Sequence, residues 1–185
     1  MQYGIKRITM DEIAKRLGIS KKTLYQYVEN KADLINQVIA NYVQQEQAHF
    51  QTIQATAKDA IDEMLKISKY VNQTLQKVNP VAIYDLQKYY HGSWELMQGL
   101  QQEFTFTIIQ RNIERGIQQG VYRSDVEAEI IAKFYVGKAD IILDRQLFPL
   151  EKYTISDLHK RLILHHLYGI ASENGIKLLE TYKDK

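Results

Sequence analysis

Apolar residues recur at intervals of three and four along nearly the whole chain, and this spacing limits the possible folds more than any other feature. It places apolar side chains on one face of a helix, whereas a half-buried strand requires strict alternation. Strictly alternating segments are hard to find, and the few breakers fall between the periodic runs. We therefore expect an all-α protein.

Capping residues and breakers divide the chain into predicted helices. Thr9 and Glu12 have the spacing of a capping box, which predicts a helix from Met10 to Leu17 that ends at Gly18. Ser20 is placed to cap a second helix from Lys21 to about Tyr27. Asn79-Pro80 ends one helix and starts the next, with Asn79 as the cap and Pro80 at the first helical position, and residues 84–90 complete this short helix. The further predicted helices are one capped by Asn30, then 58–77, 93–120, 124–146 and 154–172. After Asn174-Gly175 we expect a short helical turn or a frayed tail.

Composition excludes several classes of protein. The 185 residues include no cysteine, so disulfide scaffolds, cysteine catalysis and thiolate metal sites are impossible. The longest stretch without a charged residue runs from Leu34 to Gln45, well short of the roughly 20 residues that span a bilayer. The N-terminus has no apolar run typical of a secretory signal. We therefore expect a cytoplasmic protein without a membrane partner.

Positive charge is concentrated at the N-terminal end. Residues 1–31 contain seven basic and three acidic side chains, a balance of +4, whereas the other residues carry 17 basic and 19 acidic side chains, a balance of −2. Such a basic region is suited to phosphate contact, although a charged face is also ordinary solvated surface.

The two short predicted helices have the pattern of a helix-turn-helix. A three-residue turn with glycine joins them, and basic residues stand on the second helix. In this motif the second helix enters the major groove of DNA. The residues expected to fill the angle between the helices are Ile13, Ala14, Leu17, Ile19 and Leu24. Helical hairpins with glycine also occur as packing corners, so the pattern alone leaves that alternative open.

The N-terminal sequence resembles the DNA-binding region of the TetR family of bacterial regulators. The matching residues are Gly4-Ile5, Ile8-Thr9-Met10, Ile13-Ala14, Leu17-Gly18-Ile19-Ser20, Thr23-Leu24-Tyr25, Tyr27-Val28, Lys31 and Leu34. Lys22 and Val28 depart from the small residue and the phenylalanine that are common there. The family has a further helix before this motif, and only Met1–Tyr3 precede Gly4. We expect a truncated or partly ordered chain, or else a variant whose DNA-binding domain lacks that helix.

The resemblance implies two domains and a set of DNA contacts. Residues 1–43 would form the DNA-binding domain, without its first helix, and residues 44–185 the ligand-binding and dimerisation domain. The implied phosphate contacts are Thr9, Tyr27 and Lys31, and the implied base contacts are Ser20, Lys21, Lys22 and Thr23. Tyr25 would contact the DNA backbone or a thymine methyl, or else belong to the core.

The predicted helices 124–146 and 154–172 are apolar on more than one face. A second buried face predicts a homodimer through a four-helix bundle, with a monomer of larger core as the alternative. The candidate contacts for an apolar or aromatic effector are Tyr84, Tyr90, Trp94, Phe104, Ile108 and Phe134. Core packing is the alternative for these aromatic residues. The adjacent His165 and His166 point about 100° apart on a helix, so we expect no metal site there.

Enzyme motifs are not found, and no cofactor is expected. The sequence contains no nucleophile and base at motif spacing and no glycine-rich phosphate loop. The predicted function is a ligand-responsive transcriptional regulator, a repressor that binds a palindromic double-stranded DNA operator as a homodimer and is released by a small molecule. The alternative is a helical ligand-binding or interaction protein that no longer binds DNA.

Overall fold

The computed structural model describes residues 4–142, 144, 146–149 and 151–183. After a 3₁₀ turn at Ile5–Arg7, its helices are α1 (Met10–Leu17), α2 (Lys21–Leu24), α3 (Lys31–Thr56), α4 (Ala60–Leu75), α5 (Pro80–Tyr89), α6 (His91–Gln118), α7 (Ala128–Ile141), α8 (Ile155–Ile170) and α9 (Glu173–Lys183). Between these residues the one β-type pairing is an isolated bridge from Tyr122 to Ala171. The predicted all-α class is confirmed. In the same part of the chain, no helix is both long and apolar enough to cross a membrane.

Helix boundaries agree with the sequence where a local cap fixes them. Helix α1 begins and ends at the predicted residues, and Gly18 follows it with φ 69° and ψ 23°, the left-handed conformation that glycine adopts at no steric cost. Asn79 caps α5, with Pro80 at its first position. Helix α2 is shorter than predicted, because the chain turns at Tyr25–Tyr27.

The predicted start of α7 and the predicted C-terminal tail are both wrong. Helix α7 begins at Ala128 rather than at Ser124, because Ser124 and Asp125 lie in a turn. Residues 173–183 form a full helix, since Ser172 Oγ accepts the N–H of Gly175 and Leu179 is fully buried in the core. A Cβ on Gly175 would lie 1.9 Å from the carbonyl oxygen of Val121. Gly175 therefore packs closely against the backbone of Val121 from the first turn of α9.

The chain forms two compact units. The first consists of residues up to 47 together with 78–101, and the second of 48–77 and 102–185. Helices α3 and α6 each begin in the first unit and end in the second. The predicted functional division into residues 1–43 and 44–185 stays a prediction.

The core of the second unit contains a buried ion pair. The carboxylate of Glu63 is only 1% exposed, and its Oε2 lies 2.8 Å from Nη1 of Arg115. Arg115 also donates to the carbonyls of Gln54 and Ala57 at the end of α3. One guanidinium thus pairs the buried charge and satisfies carbonyls that the helix leaves free. Loss of Arg115 would leave the buried carboxylate with Arg111 alone, whose Nη2 lies 3.7 Å from Oε1 of Glu63.

Two histidines of α8 are buried in the second unit. Nδ1 of His159 lies 3.2 Å from Oδ1 of Asn72 on α4, and the ring of His166 packs edge-on against Tyr135 of α7. Burial lowers the pKa of each imidazole from 6.5 to about 4, and for His166 the nearby Lys138 and His165 act in the same direction. Both histidines are therefore neutral in the folded protein at neutral pH.

Acidification from pH 6.5 to pH 4 is expected to lower the free energy of unfolding. In this window the unfolded chain binds protons at both histidines and the folded chain does not, so each contributes a slope of up to about 1.4 kcal/mol per pH unit. The slope from these two groups decreases above pH 6.5 and vanishes by about pH 7.5, where the histidines of the unfolded chain are neutral as well. Urea unfolding at fixed protein concentration across this pH range measures the effect.

His166→Gln should reduce the pH slope, whatever it does to absolute stability. His165→Gln is the matched control, because His165 is the adjacent residue of the same helix and is exposed. An unchanged slope in His166→Gln would contradict the assignment.

Candidate nucleic-acid interface

A reciprocal capping box fixes the start of α1. Oγ1 of Thr9 accepts the N–H of Glu12 at 3.2 Å, and Oε2 of Glu12 accepts the N–H of Thr9 at 2.7 Å. The hydrogen bonds that the N–H and the hydroxyl of Thr9 donate to the carboxylate lower the pKa of Glu12. The box is therefore present as the sequence predicts. The hydroxyl of Thr9 also donates to Oε2 of Glu12 at 3.1 Å, so both the N–H and the hydroxyl of Thr9 are bonded to this carboxylate. The phosphate contact of Thr9 stays a prediction.

Ser20 begins α2 in a similar way. Its Oγ accepts the N–H of Thr23 at 3.0 Å and lies 2.8 Å from the Thr23 hydroxyl. Lys21 forms an ion pair with Asp11 of α1, with Nζ and Oδ1 2.8 Å apart, and this pair raises the pKa of Lys21. Both side chains are exposed, so the pair adds little stability. The adjacent Lys22 is also exposed.

The angle between α1 and α2 holds a small apolar core. Its buried residues are Met10, Ala14, Leu24 and Val28, with Ile13 and Leu34 packed against them. Ala14 and Leu24 occupy the predicted positions. The prediction for Leu17 and Ile19 is wrong, because both are exposed and Met10 and Val28 fill the angle instead.

The predicted DNA contacts on α2 and the following turn lie at the protein surface. Ser20, Lys21 and Lys22 are exposed, and Thr23 is half-buried. Tyr25 is exposed rather than in the core, and Tyr27 is 73% exposed. Backbone carbonyls of Lys21 and Thr23 accept the N–H of Tyr25, so α2 leads directly into the turn that carries both tyrosines. These six residues lie within the segment Ser20–Tyr27, in which Leu24 is buried, and their DNA-binding role stays a prediction.

Lys31 bonds to the chain itself. Its Nζ lies 2.6 Å from the carbonyl oxygen of Ile5, 2.5 Å from that of Ile8 and 3.3 Å from that of Lys6. An ammonium group has three protons, and three carbonyls surround this one. The geometry makes Lys31 a cap for the chain ahead of α1, while its predicted phosphate contact stays untested.

Asp85 of α5 is a member of this region that sequence reasoning missed. Its Oδ2 accepts the N–H of Lys6 at 2.8 Å, and Nζ of Lys6 lies 3.9 Å from the ring centre of Tyr89. Asp85 is buried although it is a carboxylate. The one sequence signal is its position four residues after Val81 and one before Leu86, which puts an acid on an apolar part of the helix.

The six candidate effector contacts are divided between the two units. Tyr84, Tyr90 and Trp94 belong to the first, and Phe104, Ile108 and Phe134 to the second. Phe104 packs edge-on against Phe50, with ring centres 5.1 Å apart, and Ile108 is buried in the core. Phe134 is 60% exposed, and Tyr84 is also exposed. Their role as ligand contacts stays a prediction.

Lys31→Ala is expected to lower the free energy of unfolding by about 1–3 kcal/mol, because it leaves the part-buried carbonyls of Ile5 and Ile8 without their donor. Lys22→Ala is the control, since it removes the same charge from an exposed position of α2. Urea unfolding without DNA measures both. Equal stability of the two variants would refute the capping role.

Known proteins are similar to this chain in sequence and in fold. The sequence model described as "Bacterial regulatory proteins, tetR family" matches residues 1–38. A curated relative, the uncharacterized HTH-type transcriptional regulator YhgD of Bacillus subtilis (strain 168), is 25% identical over 92% of this chain and 90% of its own length.

Solved structures share the fold at lower identity. A transcriptional regulator from Cytophaga hutchinsonii superposes with a TM-score of 0.75 at 19% identity, over 92% of this chain and 91% of that one. The regulator FadR from Bacillus subtilis, in complex with stearoyl-CoA, has a TM-score of 0.64 at 17% identity, over 90% and 91% of the two chains. The sequence model and the curated relative both point to a transcription regulator. Residues 1–38 therefore match the sequence model of the TetR family, and the chain has the fold of TetR-family regulators.

Proposed function

We propose that the protein is a homodimeric repressor that binds a palindromic operator through α2 and is released by a small molecule. The observation that carries this proposal is the exposure of Lys21, Lys22, Tyr25 and Tyr27 on a helix-turn-helix whose caps and core are formed. TetR-family regulators bind DNA and dimerise, which supports the same function. Such a regulator acts in the cytoplasm, beside bacterial DNA.

The side chains of α2 offer the chemistry that base recognition requires. Lys22 is exposed at the second position of the helix, and a lysine at such a position reaches the O6 and N7 acceptors of guanine. Thr23 presents a methyl group that suits thymine. Lys21 shares its charge with Asp11, so we assign base discrimination mainly to Lys22. We assign Tyr27 to a phosphate oxygen beside the groove, and Tyr25 to the DNA backbone or a thymine methyl.

A second copy of the chain is the partner that we propose for α7. Ile130, Phe134 and Ile141 are all exposed, and their spacing of four and seven residues puts them on one face of that helix. Tyr168 of α8 is also exposed. A two-fold dimer would bury this apolar face and present two copies of α2 to the halves of a palindrome. Residues 143 and 145 of the predicted dimerisation stretch 124–146 lie outside the described residues.

We propose that the effector is an apolar or aromatic molecule bound in the second unit. Aromatic rings cluster there, since Phe50 packs edge-on against both Tyr70 and Phe104. The related fold of FadR from Bacillus subtilis binds stearoyl-CoA, a ligand with a long apolar chain. Phe104 and Ile108 are the predicted contacts that lie in or against this core. Binding there would change the spacing or orientation of the two recognition helices.

Selection from a library of random-sequence duplexes tests DNA binding. The wild-type protein should retain a palindromic sequence, and fluorescence anisotropy should show saturable binding to it in the presence of excess random competitor. Retention of no common sequence would contradict the proposal and favour the alternative of an interaction protein that does not bind DNA.

Lys22→Ala is expected to select a sequence that differs at one position of each half-site, because it removes a base contact. Lys15→Ala is the matched control: it removes an exposed lysine of α1, and it should select the wild-type sequence. Equal loss of affinity for every sequence in Lys22→Ala would argue against base recognition by this residue.

Phe134→Glu is expected to convert the dimer to a monomer, since it places a charge in the proposed apolar interface. Val38→Glu is the control, because Val38 is 59% exposed on α3, close to the 60% of Phe134, and lies outside that interface. Analytical ultracentrifugation of wild type and both variants measures the change. A dimer that persists in Phe134→Glu would place the interface elsewhere.

A further inference from the structure

The chain ahead of α1 is bonded at several points within the first unit. We call residues Gly4–Ile8 the N-terminal segment. Asp85 accepts the N–H of Lys6. Lys31 donates to the carbonyls of Ile5 and Ile8, which lie on either side of Lys6 in the chain. The ammonium of Lys6 lies over the ring of Tyr89. Helices α5 and α3 therefore both bond to this segment.

Gly4 permits a close approach between the segment and α5. A Cβ at this position would lie 2.2 Å from Oδ2 of Asp85 and 2.9 Å from Cγ1 of Val81. The φ of Gly4 is −67°, an angle open to any residue, so space rather than backbone conformation excludes a side chain. With alanine here, either the segment or the Asp85 carboxylate has to shift, and both movements disturb the bond to Lys6.

The hydrogen bond from Lys6 also stabilises the buried carboxylate of Asp85. The residue is only 6% exposed, and a buried carboxylate is costly unless it accepts hydrogen bonds. The N–H of Lys6 supplies one at 2.8 Å. The acceptor and donor are 79 residues apart in the chain, so the bond fixes α5 to the segment that leads into Thr9 and α1.

We infer that Asp85 is a positioning residue for DNA binding. It holds the N-terminal segment, and thereby the basic side chains of Lys6 and Arg7 and the start of α1, in the arrangement that meets DNA. It does so from α5, through the segment. This inference rests on the proposed DNA-binding function.

The sign of the effect separates positioning from simple charge. Removing a carboxylate makes a protein more positive, which by itself strengthens DNA binding. Loss of positioning weakens it. Asp85→Ala is therefore expected to reduce affinity for the duplex selected by the wild type by about tenfold, the effect of one lost hydrogen bond to a charged group. Glu95→Ala, which removes an exposed carboxylate of α6, should bind at least as well as wild type.

Two further variants separate the effect of the contact from that of the charge, because Gly4→Ala changes no charge and Asp85→Asn makes the same charge change as Asp85→Ala. Gly4→Ala should also weaken binding, because it displaces the segment and leaves the net charge unchanged. Its control is Gly92→Ala, since a Cβ at Gly92 meets nothing within 4 Å. Asp85→Asn should keep most of the affinity, because its amide oxygen still accepts the N–H of Lys6.

Amide exchange of Lys6, followed by NMR without DNA, provides the independent measurement. Its amide proton should exchange slowly in wild type and Asp85→Asn and rapidly in Asp85→Ala and Gly4→Ala, while the amides of α1 and α3 stay protected in all four. If Asp85→Ala loses protection in α1 and α3 as well, this variant has disturbed the fold. The comparison of Gly4→Ala with Gly92→Ala then tests the inference.

Several outcomes would overturn the inference. They are unchanged exchange at Lys6 in both weakened variants, and DNA affinity in these variants equal to that of their controls. If the wild type selects no duplex, the proposed function fails together with the DNA-binding part of the inference. The exchange of Lys6 then still shows whether Asp85 holds the segment.

Discussion

Short helices leave many of their backbone polar groups without hydrogen-bond partners inside the helix. The N-terminal part of this protein depends on side chains that provide these partners. A helix has four free N–H groups at its start and four free carbonyls at its end, while α1 has 8 residues and α2 has 4. Thr9 and Ser20 accept N–H groups at the two starts. Lys31 serves the carbonyls ahead of α1. Without these bonds the helix-turn-helix would have little besides a core of four buried side chains to hold it.

This requirement divides the polar residues of the region into two groups. Lys31 and Glu12 point at the backbone of their own chain, and they have little capacity left for another partner. Lys22 is exposed on α2, and Tyr25 and Tyr27 are exposed in the turn that follows it. Lys22 and Lys31 thus carry the same charge in different surroundings, since Lys22 is exposed and Lys31 is half-buried. The exposed group is the one available to a nucleic acid, and the other holds it in place.

Local signals explain which parts of the fold could be predicted. The Thr9–Glu12 box, the left-handed Gly18 and the Asn79-Pro80 start act within a few residues, so spacing alone identifies them. The roles of Asp85 and Lys31 depend on partners 79 and up to 26 residues away, which no local pattern encodes. Asn174-Gly175 is a turn signal locally, yet packing of Leu179 into the core favours a helix. The exposed surface of α2 was predictable for the same reason as its cap, since both belong to one short segment.

The first unit is assembled from two separate stretches of chain, and this affects how regulators of this fold can be recombined. A chimera that takes residues 1–43 from this protein and the remainder from another would leave Asp85 and Tyr89 behind. The transplanted Lys6 would then face whichever side chains the recipient has on its own α5, and Gly4 would no longer match the surface it lies against. The unit that has to be transplanted is therefore larger than the helix-turn-helix, because residues 78–101 belong to the same compact unit.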